Sequence, residues 1–184
     1  MKDNSLIYKR INKIINENGR FDELVILDIE NIYGCNSIYT KNKERKMKKI
    51  RETKKRLKNF ENYLNLTRRS LIIISANRRL LEDLDMWYFD ESPPVEILIS
   101  AKGEDGADLA LIDSAEYILN SEHINKFKKI IIASGDHIFT PLIKRLKNEK
   151  FNYKTLSVDG KLSNKILEIS EDHINLDREL EYAV

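Results

Sequence analysis

Five short apolar runs constrain this chain more than any other feature: ELVILD (23–28), SLIIIS (70–75), VEILIS (95–100), IIIA (130–133) and YKTLSV (153–158). Most lack the polar–apolar alternation of a strand with one wet face, so they read as strands covered on both sides. The segments between them have helical spacing. One runs from about 41 to 66 on an apolar stripe of Met47, Ile50, Leu57, Phe60 and Leu64. Others are NRRLLEDLDMWYF after the second strand, GADLALIDSAEYILNS after the third, FTPLIKRLKNEK after the fourth and LSNKILEISEDHI after the fifth. This alternation predicts an α/β fold: a three-layer sandwich around a central, mostly parallel five-stranded sheet. In such sheets ligands bind beyond the carboxyl ends of the strands, where the strand order reverses. Function is therefore sought in the residues that follow each run.

With 184 residues, 41% of them hydrophobic, the chain is expected to form a single domain over 1–184. Its core is placed at about 22–171, with a helix over 4–18 and an acidic tail over 172–184 as extensions. Cys35 is the only cysteine, which excludes an internal disulfide and favours a reducing compartment. The opening MKDNSLIYKR has no apolar stretch with a cleavage site, and no run approaches the roughly 20 residues that cross a bilayer. A cytoplasmic protein with no membrane contact is expected. The net charge of +2 conceals an asymmetry: residues 41–58 hold eleven Lys or Arg against two acids, whereas 159–184 hold seven acids against three bases.

Carboxylates recur where the strands end. The first run ends in Asp28, with Glu30 and Asn31 just beyond it. The third leads through a short loop to Glu104, Asp105 and Asp108, and the fourth to Ser134-Gly135-Asp136. Any one of these is at home as a helix N-cap. Together on one rim they would repel and raise one another's pKa values, and a divalent cation is the economical remedy. Hard oxygen donors of this kind suit Mg²⁺ or Mn²⁺. No G-x-x-x-x-G-K-[ST] loop or G-x-G-x-x-G turn is present, which argues against a nucleotide-binding α/β enzyme.

Three stretches, VILDIENIYG, KGEDGADLALID and IIIASGDHIFTPLIKRL, carry a resemblance to the NYN domain family, a branch of the PIN-like metal-dependent ribonucleases. The likeness covers about residues 22–171. It implies that Asp28, Asp108 and Asp136 bind the metal, and that Asn31 orients a ligand or water. It also implies hydrolytic cleavage of RNA to a 5′-phosphate and a 3′-hydroxyl. Where many members have a second Asp two residues after the Ser-Gly-Asp, this chain has Ile138, which puts a second metal site in doubt. Asp105, Asp113 and Ser134 are additional candidates. Asp113 ranks low, because five residues along a helix from Asp108 is about 500°, a different face. A catalytically silent module that binds RNA or a protein partner is the alternative.

RNA is the expected partner, and the basic helix its expected track. Arg45, Lys46, Lys49 and Lys54, with Arg56, would offer cations to a phosphate backbone in a salt-sensitive way. Lys102 beside the acidic loop is a candidate phosphate contact at the centre, and Arg78 and Arg79 open the helix after the second strand. Tyr33 and Tyr39, near Asn31, are candidates for stacking on a base. The first helix and the acidic tail are candidate surfaces for self-association or a protein partner.

Overall fold

In a computed structural model, residues 5–33, 42–84, 95–101, 103 and 105–181 are described. The elements are α1 (Ser5–Asn18), β1 (Glu23–Asp28), α2 (Ile29–Tyr33), α3 (Lys43–Tyr63), β2 (Ser70–Asn77), α4 (Arg78–Asp83), β3 (Val95–Ala101) and α5 (Gly106–Leu119). They continue with β4 (Lys129–Ala133), α6 (Thr140–Asn148), β5 (Tyr153–Ser157), α7 (Asn164–Ile169), β6 (His173–Asn175) and α8 (Leu176–Glu181). Short 3₁₀ turns at Glu122–Lys126 and His137–Phe139 flank β4.

The strands form one sheet in the order β3-β2-β1-β4-β5-β6, and every pairing is parallel. The chain builds outward from β1 to β3, then returns to lay β4 against the other side of β1. The order therefore reverses between β1 and β4, which opens a crevice beyond their carboxyl ends. Helices cover both faces. Ile11 and Ile15 of α1, Leu111 and Ile118 of α5, Leu142 and Ile143 of α6 and Ile166 of α7 pack on one face with Ile26, Ile73 and Ile132. On the other, Ile29 and Ile32 of α2, Phe60 of α3, Leu80 of α4 and Leu176 of α8 pack with Val25, Ile74 and Ile131. The expected α/β sandwich is present, with its central strands fully covered.

Several expectations need correction. The sheet has six strands: the helix expected over LSNKILEISEDHI ends at Ile169, and His173–Asn175 pairs with the edge of β5. Among the described residues of the end segments, α1 and α8 pack onto the sheet's helical layers. Ile11 and Ile15 are fully buried, Tyr8 of α1 stacks on Tyr117 of α5 at 4.1 Å, and Leu176 is 1% exposed. The buried seam of α3 is Ile50, Thr53, Leu57 and Phe60, at spacings of three and four. Met47, expected in that stripe, is exposed, as is Leu109 at the start of α5. No helix among the described residues is long and apolar enough to cross a membrane.

Candidate active site

The crevice between β1 and β4 is built by two turns that lock onto each other. β1 is an unbroken buried run that delivers Asp28, only 3% exposed, to its end. The chain turns at once into α2, and the Asn31 backbone N–H donates to Asp28 Oδ1 (3.0 Å). From β4, the fully buried Ser134 donates its hydroxyl to Asp28 Oδ2 (2.9 Å). The same Ser134 oxygen accepts from the Asp136 backbone N–H (3.2 Å). Asn31 Oδ1 in turn accepts from the Gly135 N–H (2.9 Å). Asp28 and Asp136 are thus held in fixed relation through Ser134, and Asn31 acts on the backbone of the opposite turn.

Gly135 is required by a close approach. A Cβ there would press into the carbonyl of Lys161 and lie 3.0 Å from Leu162 Cα. The Ser163 N–H also donates to the Gly135 carbonyl (2.9 Å). Asp136 itself is half-open to solvent. Its Oδ1 accepts from the Ile138 N–H (3.0 Å) and meets His137 Nδ1 at 3.0 Å. The side chain of Ile138 packs against the hydrophobic core and has no metal-ligating atom to offer.

The third carboxylate comes from α5. Asp108, in its first turn, hydrogen-bonds the carboxyl of Asp28. Its pKa is pushed up to about 7, first by burial, then by the charge and hydrogen bond of Asp28, then by the charges of Asp136 and Asp105. Asp28 is also raised, chiefly by burial, against the hydrogen bonds from Asn31, Ser134 and Asp108. Burial and the neighbouring carboxyl thus disfavour the charged form of Asp108, and burial that of Asp28. Asp105 is exposed at the N-cap position of α5 with φ 52°, a left-handed conformation that Asp tolerates, and makes no side-chain cap bond.

Of the expected site residues, Asp28, Asn31, Asp105, Asp108, Ser134 and Asp136 meet at this crevice. Asp113 is exposed farther along α5. Lys102 and Glu104 lie outside the described residues, as do Cys35, Tyr39, the side chain of Tyr33 and residues 85–89 of the helix expected after the second strand. The cations do not form a single comb. Lys46 is half-buried in an ion pair with Asp83 of α4 (2.6 Å). At about 100° per residue, Arg45 and Lys49 flank one side of the buried seam of α3 and Lys54 the other. Arg78 is engaged by Glu82 (2.8 Å), while Arg79 is exposed. The role of the β5–α7 loop as the third wall of the crevice was missed. Its Asp159-Gly160 is a turn signal at another strand end, the one clue the sequence offers.

The donor set fits a hard cation in one specific way. Among the described residues no group of three His, Cys, Asp or Glu side chains is close enough to hold an ion. The three carboxylates are neighbours rather than a closed cage. Mg²⁺ is commonly held by one or two carboxylates with water in its other positions, and the Asp28–Asp108 pair supplies that number. Compared with known proteins, the chain matches no family model and no curated sequence.

Proposed function

We propose that this chain is a metal-dependent endoribonuclease of the NYN, PIN-like type. One observation carries the reading. Carboxylates from three separate elements meet in one crevice, where burial first and the neighbouring charges of Asp28, Asp136 and Asp105 second push Asp108 up to about 7. A fold retains such mutual repulsion when the site has a use for it, and perturbed carboxylates in a cleft are the usual mark of function. The crevice lies at the point of strand reversal, where open parallel sheets take their ligands.

In this reading Asp28 and Asp108 would hold Mg²⁺ or Mn²⁺, which when bound would supply Lewis acidity toward a phosphoryl oxygen and lower the pKa of a water. Asp136, with its side chain 38% exposed, faces the solvent side and orients the incoming water by hydrogen bonding. Ser134 and Asn31 keep the Asp28 and Asp136 turns in register and touch no substrate. Hydrolysis leaves the RNA cut to a 5′-phosphate and a 3′-hydroxyl, with no covalent intermediate on the protein.

The test is cleavage of a mixed RNA pool in Mg²⁺ or Mn²⁺, with Asp28→Asn and Asp136→Asn alongside. Each substitution is expected to lower the rate by about 10² or more, the scale of removing one preorganised electrostatic group. Undiminished cleavage by both variants would remove the proposed site. The alternative is a silent RNA-binding or partner-binding module, favoured by Ile138 where many family members have a second Asp. RNA binding without cleavage under either metal would establish that alternative.

A further inference from the structure

Lys161 and Lys165 belong to the β5–α7 loop and the helix it enters, a region that the ribonuclease reading assigns no role. Both are exposed, and neither forms an ion pair among the described residues. Their position beside the crevice is fixed by backbone. The Lys161 carbonyl abuts Gly135, and the Ser163 N–H bonds the Gly135 carbonyl, so both lysines are carried next to the turn that presents Asp136. On the opposite side, Arg79 stands exposed at the end of β2.

In sheet order the rim therefore reads Arg79 at β2, Asp28 at β1, Asp136 at β4 and Lys161 at β5. At about 4.8 Å between strands, the ends of β2 and β5 lie roughly 15 Å apart. A polyanion seated on both ends must cross the carboxylates in the middle. Beyond β5 the sign changes. Asp159 accepts from Asn175 Nδ2 (2.6 Å), and its backbone N–H donates to Asp177 Oδ2 (2.9 Å), which sets two carboxylates side by side at the end of β6. They close that direction to phosphate and leave the way past Lys165 on α7.

We infer that Lys161 and Lys165 form a second phosphate-contact ledge of the same site. Single-stranded RNA then crosses the rim from β2 toward β5 and leaves over α7. This rests on the ribonuclease reading for the identity of the polyanion, so its test separates binding from cleavage. A fluorescein-labelled single-stranded RNA is titrated in the presence of a chelator, with anisotropy as readout, at several KCl concentrations. Lys161→Ala/Lys165→Ala is compared with wild type and with Lys13→Ala, an exposed lysine of α1; all three are checked for equal melting temperature.

Loss of two phosphate contacts is expected to weaken binding by roughly tenfold, with Lys13→Ala within about twofold of wild type. The salt slope should shrink by about 1.4, from about 0.7 per contact on a single strand. Wild-type binding with an unchanged affinity and slope in the double variant would overturn the ledge and leave the ribonuclease reading standing. A wild type that neither binds nor cleaves RNA would overturn both.

Discussion

Glu96 is a carboxylate in an apolar place. It is the second residue of the edge strand β3, opposite Ile72, and both its carboxyl oxygens are withdrawn from water without a hydrogen-bond partner among the described residues. Its pKa is pushed from 4.5 up to about 8, by burial first and by the charge of Glu61 on α3 second. Glu61 is raised too, by burial against the pull of Lys58. The native state therefore prefers Glu96 protonated. Stability from this preference is complete below the unfolded pKa near 4.5 and is lost as pH rises through about 8. Glu96→Gln keeps the shape without the charge. Relative to wild type it is expected to gain on the order of 2–4 kcal/mol between pH 5 and pH 9, at about 1.4 kcal/mol per pKa unit. Urea melts at both pH values measure this difference. A gap between the two proteins that does not change with pH would show that Glu96 ionises freely in the native state.

At the scale of elements, the crevice depends on the β4–α6 turn being pinned by the β5–α7 loop. Gly135→Ala tests that pin, since the new methyl meets the Lys161 carbonyl and Leu162 Cα, backbone that cannot swing aside. The expected cost is about 1–3 kcal/mol, as for overpacked sites, because the loop and Asp136 must separate. A denaturant midpoint equal to wild type would show that the loop is not fixed there. The same turn shows what a sequence can reveal. β1 was legible to the residue because its continuous apolar run LVIL is bounded by a charge at each end, Glu23 and Asp28. Asp28 and Asp136 were legible as carboxylates at or just past the end of an apolar run; Asp108, in the first turn of α5, was one of three acids after the third run and was singled out by the family resemblance. Gly135 was legible only as part of a motif. Its reason lies in Lys161 and Ser163, which are distant in sequence and carry no local signal of the contact. β6 was misread as helix because three residues are too few to show a period, and only the open edge of β5 makes His173–Asn175 a strand. Lys46 read as a cation for RNA, yet it sits on the buried side of α3 at its first turns, where Asp83 claims it.

Over the whole molecule, six parallel strands and two helical layers serve to bring carboxyl ends from distant parts of the chain to one rim. The core is closed on both faces of β1 and β4, so the rim is rigid where Asp28 and Ser134 meet. A rigid, crowded anion site is paid for in stability when nothing positive fills it. A cation bound only by the native state returns that stability by mass action, about 2.7 kcal/mol at a hundredfold excess over its Kd. For a chain of this length that corresponds to a melting rise of roughly 5–10 °C, at about 2–4 °C per kcal/mol. Mn²⁺ or Mg²⁺ is therefore expected to raise the melting temperature of the wild type. Asp108→Asn should not lower the melting temperature in chelator, because the lost charge was one that Asp28, Asp136 and Asp105 already opposed. It should, however, abolish the rise on adding Mn²⁺. An equal rise in both proteins would place the ion elsewhere on the surface, and a wild type indifferent to both metals would leave the three carboxylates without the ion proposed to reconcile them.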